Sequence, residues 1–78
     1  MTPEEKSATL ATYMAYRSGP LLPGEDSEFL LEFGTSSAQL VDAAIHDAAR
    51  ETGRVTLAGV AQKHARLREA AIQARLHQ

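Results

Sequence analysis

Two helix-forming runs joined by four residues constrain the fold of this 78-residue chain more than any other feature. Gly53 follows the first run and can adopt the left-handed conformation that commonly ends a helix. Thr56 precedes the second run, and its hydroxyl can accept a hydrogen bond from a free backbone N–H of the first turn. The joint therefore predicts two consecutive helices, over residues 37–52 and 57–76.

Two further helices are predicted before this pair, over residues 3–17 and 27–33. Thr2, Pro3 and Glu5 have the pattern of a capping box, in which side chains satisfy backbone N–H groups at the start of a helix. No stretch alternates between apolar and polar residues at a period of two, so no strand is predicted. The sequence therefore predicts one all-α domain spanning the whole chain, a small bundle of three main helices and one short helix.

The expected core is anchored by the short helix. Phe29, Leu30 and Phe33 share one of its faces and include both phenylalanines of the chain. On the first helix, helical spacing assigns the inner face to Leu10, Ala11 and Met14, and the rim of the core to the amphipathic Tyr13 and Tyr16.

The last predicted helix carries an apolar surface that is wider than the stripe of an ordinary surface helix. Such breadth indicates contact with more than one neighbour, in the same chain or in a partner. Cationic residues run along its middle, and either their heads reach water at the rim or they meet carboxylates of another segment or chain. The predicted protein-interface residues are Leu57, Val60, His64, Leu67, Arg68, Ala71, Ile72 and Arg75.

Charge is distributed unevenly along the chain, although the net charge is only −2. Residues 1–45 hold two cations and seven acidic residues, whereas residues 46–78 hold six cations and three acidic residues. Either the two halves neutralise each other within one fold, or the second half offers a basic face to nucleic acid or to an acidic protein.

Sequence signals for catalysis or metal binding are weak. The chain has no cysteine, no serine in a glycine-flanked nucleophile elbow, and no glycine-rich phosphate loop. Asp42 and His46 lie one helical turn apart and could supply two metal ligands, although pairs at this spacing are more often plain surface pairs. We therefore expect no enzymatic activity, no cofactor and no metal site.

Residues 56–64 resemble the first helix of a helix-turn-helix motif, with a small residue and a valine at the expected places. The turn of that motif would follow, but this chain has Ala65, Arg66 and Leu67 there. Residues 65–76 therefore favour an uninterrupted helix, which leaves no separate recognition helix for the major groove.

Residues 53–57 resemble the loop between two helices in the latter part of the histone fold, where a basic residue and a threonine occur together. In this chain the preceding predicted helix is shorter than in that family, and the N-terminal part is acidic. The resemblance implies that Arg54 and Thr56 contact the DNA backbone. An alternative function, a small DNA-binding protein, would use Arg50, Arg54, Thr56, Lys63 and Arg66.

The sequence favours a small non-enzymatic protein-interaction module, such as an adaptor, an inhibitor or a regulatory accessory factor. It would bind through the broad face of the last helix, and we predict that it self-associates as a homodimer or a larger homo-oligomer. The apolar runs are too short to cross a membrane, and no secretory leader is evident. We therefore expect no membrane partner and a cytoplasmic location.

Overall fold

The computed structural model describes residues 1–17 and 19–76 and confirms an all-α bundle. No strand occurs in these residues. The third helix packs against both the first and the fourth, and the first also contacts the second. The helices are α1 (Pro3–Tyr16), α2 (Glu25–Phe33), α3 (Ala38–Thr52) and α4 (Leu57–Leu76).

The joint between α3 and α4 has the predicted geometry. Gly53 adopts a φ of 80°, and its N–H donates to the Ala49 carbonyl at 2.8 Å. Thr56 Oγ1 accepts a hydrogen bond from the Gly59 N–H at 3.1 Å. This tight turn returns α4 along α3. Because α4 has 20 residues and α3 has 15, the last turns of α4 extend beyond the start of α3.

Both phenylalanines of α2 are fully buried, which confirms their predicted role in the core. The Phe29 ring lies 5.1 Å from the Phe33 ring and 4.9 Å from the stacked Tyr13 ring. Leu30 is half-buried and packs against this cluster. The buried core consists of Tyr13, Phe29, Phe33, Val41, Ala44, Ile45, Ala48, Val55 and Val60.

The inner face of α1 differs from the predicted one. Thr9 and Tyr13 are buried, whereas Met14, predicted to face inward, is half exposed. Burial of both hydroxyls is possible because each has an acceptor: Thr9 donates to the Glu5 carbonyl at 2.6 Å, and Tyr13 donates to Glu25 Oε2 at 2.5 Å. The prediction that Tyr13 lies at the rim was therefore wrong. Hydrogen bonds satisfy the hydroxyls of Thr9 and Tyr13, so both side chains can be buried without leaving an unpaired polar group.

The second helix begins at Glu25, two residues before the predicted start at residue 27. Gly24, with a φ of 81°, turns the chain into it. The Glu25 carboxylate then accepts three hydrogen bonds: from the Leu22 N–H at 3.0 Å, from Tyr13 Oη at 2.5 Å and from Arg17 Nε at 2.5 Å. Partners contributed by α1 thus position the start of α2.

Hydrogen bonds from Arg17 foremost, and then from Tyr13 and the Leu22 N–H, lower the pKa of Glu25 to about 2. Burial, and then the neighbouring Glu25 carboxylate, raise the pKa of Tyr13 to about 12. Glu25 is therefore ionised and Tyr13 is neutral at pH 7. This ion pair with its tyrosine joins the α1–α2 connection to the core.

Truncation of Phe29, the central aromatic residue of the core, should destabilise the fold strongly. We predict that Phe29→Ala lowers the free energy of unfolding by about 3–5 kcal/mol, because it leaves a cavity beneath α1. Leu31→Ala is the matched control on the same helix, where the side chain is 86% exposed and the expected change is below about 0.5 kcal/mol. Urea unfolding at low micromolar protein concentration measures both, and equal losses would contradict the assigned core.

The Glu25 carboxylate should make the stability of the protein depend on pH in the acidic range. We predict that Glu25→Gln lowers the melting temperature at pH 7, because an amide is a weaker acceptor for Arg17. A carboxylate whose pKa is lowered by folding stabilises the protein above its unfolded value of 4.5, and this stabilisation is lost as the pH falls towards about 2. The difference in melting temperature between wild type and variant should close over that range in circular dichroism scans. Glu4→Gln, at an exposed carboxylate, is the control, and a difference that is constant with pH would refute the assignment.

Candidate protein-docking site

The fourth helix is divided into a packed first half and an exposed second half. It is one unbroken helix, as predicted. Val60 is fully buried and His64 is 9% exposed, whereas every residue from Arg68 to Leu76 is exposed. Val60 and His64 therefore belong to the core of the chain, and we remove them from the predicted interface.

The other predicted interface residues follow the same division. Leu57 and Leu67 are half-buried and pack against the core. Arg68, Ala71, Ile72 and Arg75 continue the side of α4 that faces the core, but they do so beyond the point where the core ends. The available part of the predicted interface is thus its C-terminal half.

Three large apolar side chains of α2 and α4 are exposed. Ile72 is 43% exposed and Leu76 is 71% exposed, near the end of α4, and Leu31 on α2 is 86% exposed. Leu31 and Leu76 were not among the predicted interface residues. The width of the apolar surface of α4 was a signal for Leu76. Helical spacing was a signal for Leu31, because it places this leucine off the face shared by Phe29, Leu30 and Phe33.

A groove separates α2 from the first half of α4. It has a volume of about 340 Å³. Its floor is apolar and built mostly from small side chains, and its rim carries two carboxylates. The lining residues are Glu28, Leu31, Glu32, Leu57, Ala58 and Ala61.

Four charged residues of α2 and α4 form no ion pair in the part of the chain that the structure describes. In the described residues, the ion pairs are Arg17–Glu25, Asp47–Arg50 and Glu51–Lys63. Each joins two groups from the same half of the chain, so no ion pair in the described part links the acidic first half to the basic second half. Among these residues, the exposed Glu28 and Glu32 of α2 and the exposed Arg68 and Arg75 of α4 make none.

His64 is mostly buried and forms part of the wall of a depression between α2 and α4. Its ring makes an edge contact with Phe33 at 5.3 Å, and its Nε2 is buried without a hydrogen-bond partner among the described residues. Burial foremost, and then the nearby Arg68 guanidinium, lower the pKa of His64, while Glu32 opposes them. His64 is therefore neutral at pH 7 and packs as a buried residue of the chain.

The predicted nucleic-acid residues are partly engaged within the chain. Arg50 Nη2 binds Asp47 Oδ1 at 2.5 Å, and Lys63 binds the Glu51 carboxylate. The Thr56 hydroxyl caps α4. Two of the four predicted phosphate-binding cations are thus paired with carboxylates, and the other two, Arg54 and Arg66, are exposed.

The pair considered for metal binding, Asp42 and His46, does not converge through its ligand atoms. His46 Nδ1 lies 2.8 Å from the Asp42 carbonyl and not from its carboxylate. In residues 1–17 and 19–76, no group of three or more potential ligands could hold a metal ion. In the same residues, no helix is both long enough and apolar enough to cross a membrane.

The buried histidine should make stability sensitive to mild acid. Because the pKa of His64 is lowered by folding, its neutral form stabilises the protein fully above the unfolded value of 6.5, and this stabilisation is lost as the pH falls below it. We predict that His64→Leu removes the decline in urea-unfolding free energy that wild type shows as the pH falls below 6.5. His46→Gln, at an exposed histidine of α3, should keep the decline. An unchanged decline in His64→Leu would show that another group causes it.

Comparisons with protein-family models, with curated proteins and with solved structures found no match to this chain. The surface that the described residues offer to a partner consists of the exposed end of α4, the groove between α2 and the first half of α4, and the charged residues of both helices that form no ion pair there.

Proposed function

We propose that this chain is a small, non-enzymatic protein-interaction module that binds a protein partner through the exposed second half of α4 and the groove between α2 and the first half of α4. The observation that carries the proposal is that the inward-facing side of α4 continues beyond the core and remains uncovered. An adaptor, an inhibitor or a regulatory accessory factor of the cytoplasm would each use such a surface.

The apolar residues of this region support a docking surface. Single exposed apolar side chains are normal on small proteins and need no explanation. Here, however, Leu31 lines the groove, Ile72 lines an adjoining depression that shares Glu32 and Ala61 with it, and Leu76 follows one turn later on α4. Clustered apolar residues with a charged rim are typical of protein interfaces.

The arrangement of charges favours a protein partner over DNA. Phosphate binding needs a continuous basic surface, whereas α2 carries exposed carboxylates next to this groove. Arg50 and Lys63 of the alternative DNA-binding set are paired with carboxylates of their own chain. DNA binding through Arg54 and Arg66 therefore remains the less supported proposal.

A charged substitution at Ile72, in the exposed half of α4, should weaken association without unfolding the chain. We predict that Ile72→Asp weakens association at least about ten-fold, because it places a charge at the centre of the apolar surface. Sedimentation velocity over a concentration series measures self-association, and retention of proteins from an extract of the source cells measures other partners. Gln73→Asp introduces the same side chain one position away, on another side of α4, and should behave as wild type.

Two results would contradict the proposal. The first is identical behaviour of Ile72→Asp and Gln73→Asp in both assays. The second is retardation of duplex DNA that weakens steeply with added salt and is unaffected by Ile72→Asp, which would favour the DNA-binding alternative.

A further inference from the structure

We infer that the partner is a second copy of this chain, docked so that the end of each α4 lies in the groove between α2 and α4 of the other subunit. This inference rests on the proposed docking function and identifies its partner. It is carried by the match between the groove and the end of the same helix, in shape, in charge and in position.

The groove suits a basic amphipathic helix. Ala58 and Ala61 form its floor, and small side chains allow the backbone of an incoming helix to approach closely. Leu31, exposed on α2, forms an apolar wall. Glu28 and Glu32 stand on the α2 side of the groove and pair with no cation in the described residues. An incoming helix therefore needs an apolar stripe with cations along one flank.

The end of α4 has this pattern. Ile72 and Leu76 form an exposed apolar stripe. At about 100° per residue, Arg68 and Arg75 both lie to one side of that stripe. This flank is the one that faces α2, because Arg68 lines a shallow depression together with Glu32. Each chain thus contains both the groove and a helix that fits it.

The positions of groove and stripe on α4 allow both contacts to form at once. If two α4 helices lie antiparallel with a two-fold axis level with the Arg66–Leu67 bond, then Ala61 of each faces Ile72 of the partner subunit. Ala58 then faces Arg75 of the partner subunit. The two-fold axis also places α2 of each subunit on the same side of the helix pair as Arg68 and Arg75 of the other. The resulting interface is isologous and closed, so it gives a dimer and not a filament.

Charge favours a second copy over a foreign protein. A foreign basic helix would cover Glu28 and Glu32 but would leave the arginines of α4 unmatched. A foreign acidic helix would be repelled by the same two carboxylates. Reciprocal docking of two copies brings Arg75 to Glu28 and Arg68 towards Glu32 in both directions. It thereby pairs charged groups that form no ion pair within the described residues of one chain.

Disulfide trapping tests the arrangement directly, because the chain has no native cysteine. Ala61→Cys and Ile72→Cys are made as separate proteins, mixed and mildly oxidised. Residues 61 and 72 of two chains should crosslink in the mixture, giving a covalent dimer within minutes. Each protein alone should crosslink far less, because identical positions are roughly 16 Å apart along antiparallel helices, beyond the reach of a disulfide. Ala61→Cys mixed with Gln73→Cys is the control for surface proximity.

Charge reversal tests the pairing of Arg75 with Glu28. Arg75→Glu and Glu28→Arg should each weaken the dimer about ten-fold or more in equilibrium sedimentation, and the double variant should recover most of the wild-type affinity. Arg66→Glu makes the same change of charge on the same helix but outside the groove, and it should leave the dimer nearly unchanged.

The outcomes separate this inference from the docking function. A dimer in which Ile72→Cys crosslinks efficiently to itself, or one insensitive to both charge reversals, overturns the reciprocal arrangement and leaves the docking function standing. The chain could also be monomeric up to millimolar concentration and yet retain a foreign protein that Ile72→Asp releases. That result too overturns the reciprocal dimer and leaves the docking function standing. A monomer with no Ile72-dependent partner overturns both.

Discussion

The length of α4 relative to the core beneath it is the constraint on which the rest of the structure depends. Phe29, Phe33 and the buried residues of α3 cover only the first half of this 20-residue helix. Nothing in the described chain covers the remaining turns, although the same helical side continues through them. One side of α4 therefore serves both packing and the proposed function. Its first half, with Val60 and His64, packs in the core, and its second half, with Ile72, lies beyond the core and is exposed.

The separation of charge along the chain has a structural counterpart. Ion pairs within the first half hold Glu25 against Arg17, and those within the second half join neighbouring turns or the adjoining ends of α3 and α4. These local pairings leave the outer carboxylates of α2 and the arginines near the end of α4 without partners among the described residues. Ion pairs that form in an interface shielded from water can contribute more to binding than an ion pair at an exposed site contributes to stability.

Sequence reasoning recovered the helices but recovered the site only in part. It placed the joint at Gly53 and Thr56, the continuous helix through Ala65 and the phenylalanine anchor. It misplaced Tyr13, because an amphipathic side chain was assigned to the rim without knowledge of the Glu25 acceptor. It also assigned Val60 and His64 to the interface, because periodicity identifies an apolar side but not how far the core extends along it. Leu31 was missed although helical spacing places it off the face of Phe29, Leu30 and Phe33, because a single exposed leucine is common and does not by itself indicate an interface.

The positions of the helices can be read from the sequence, because caps and helical spacing depend on residues within about four positions of one another. Which sides of those helices are covered depends on how the helices pack in three dimensions. Burial of Thr9, Tyr13 and Glu25 depends on hydrogen-bond partners that the fold supplies, and exposure of Leu31, Ile72 and Leu76 depends on where neighbouring helices end. Local propensity contains no information on either, since both follow from how helices of unequal length meet in space.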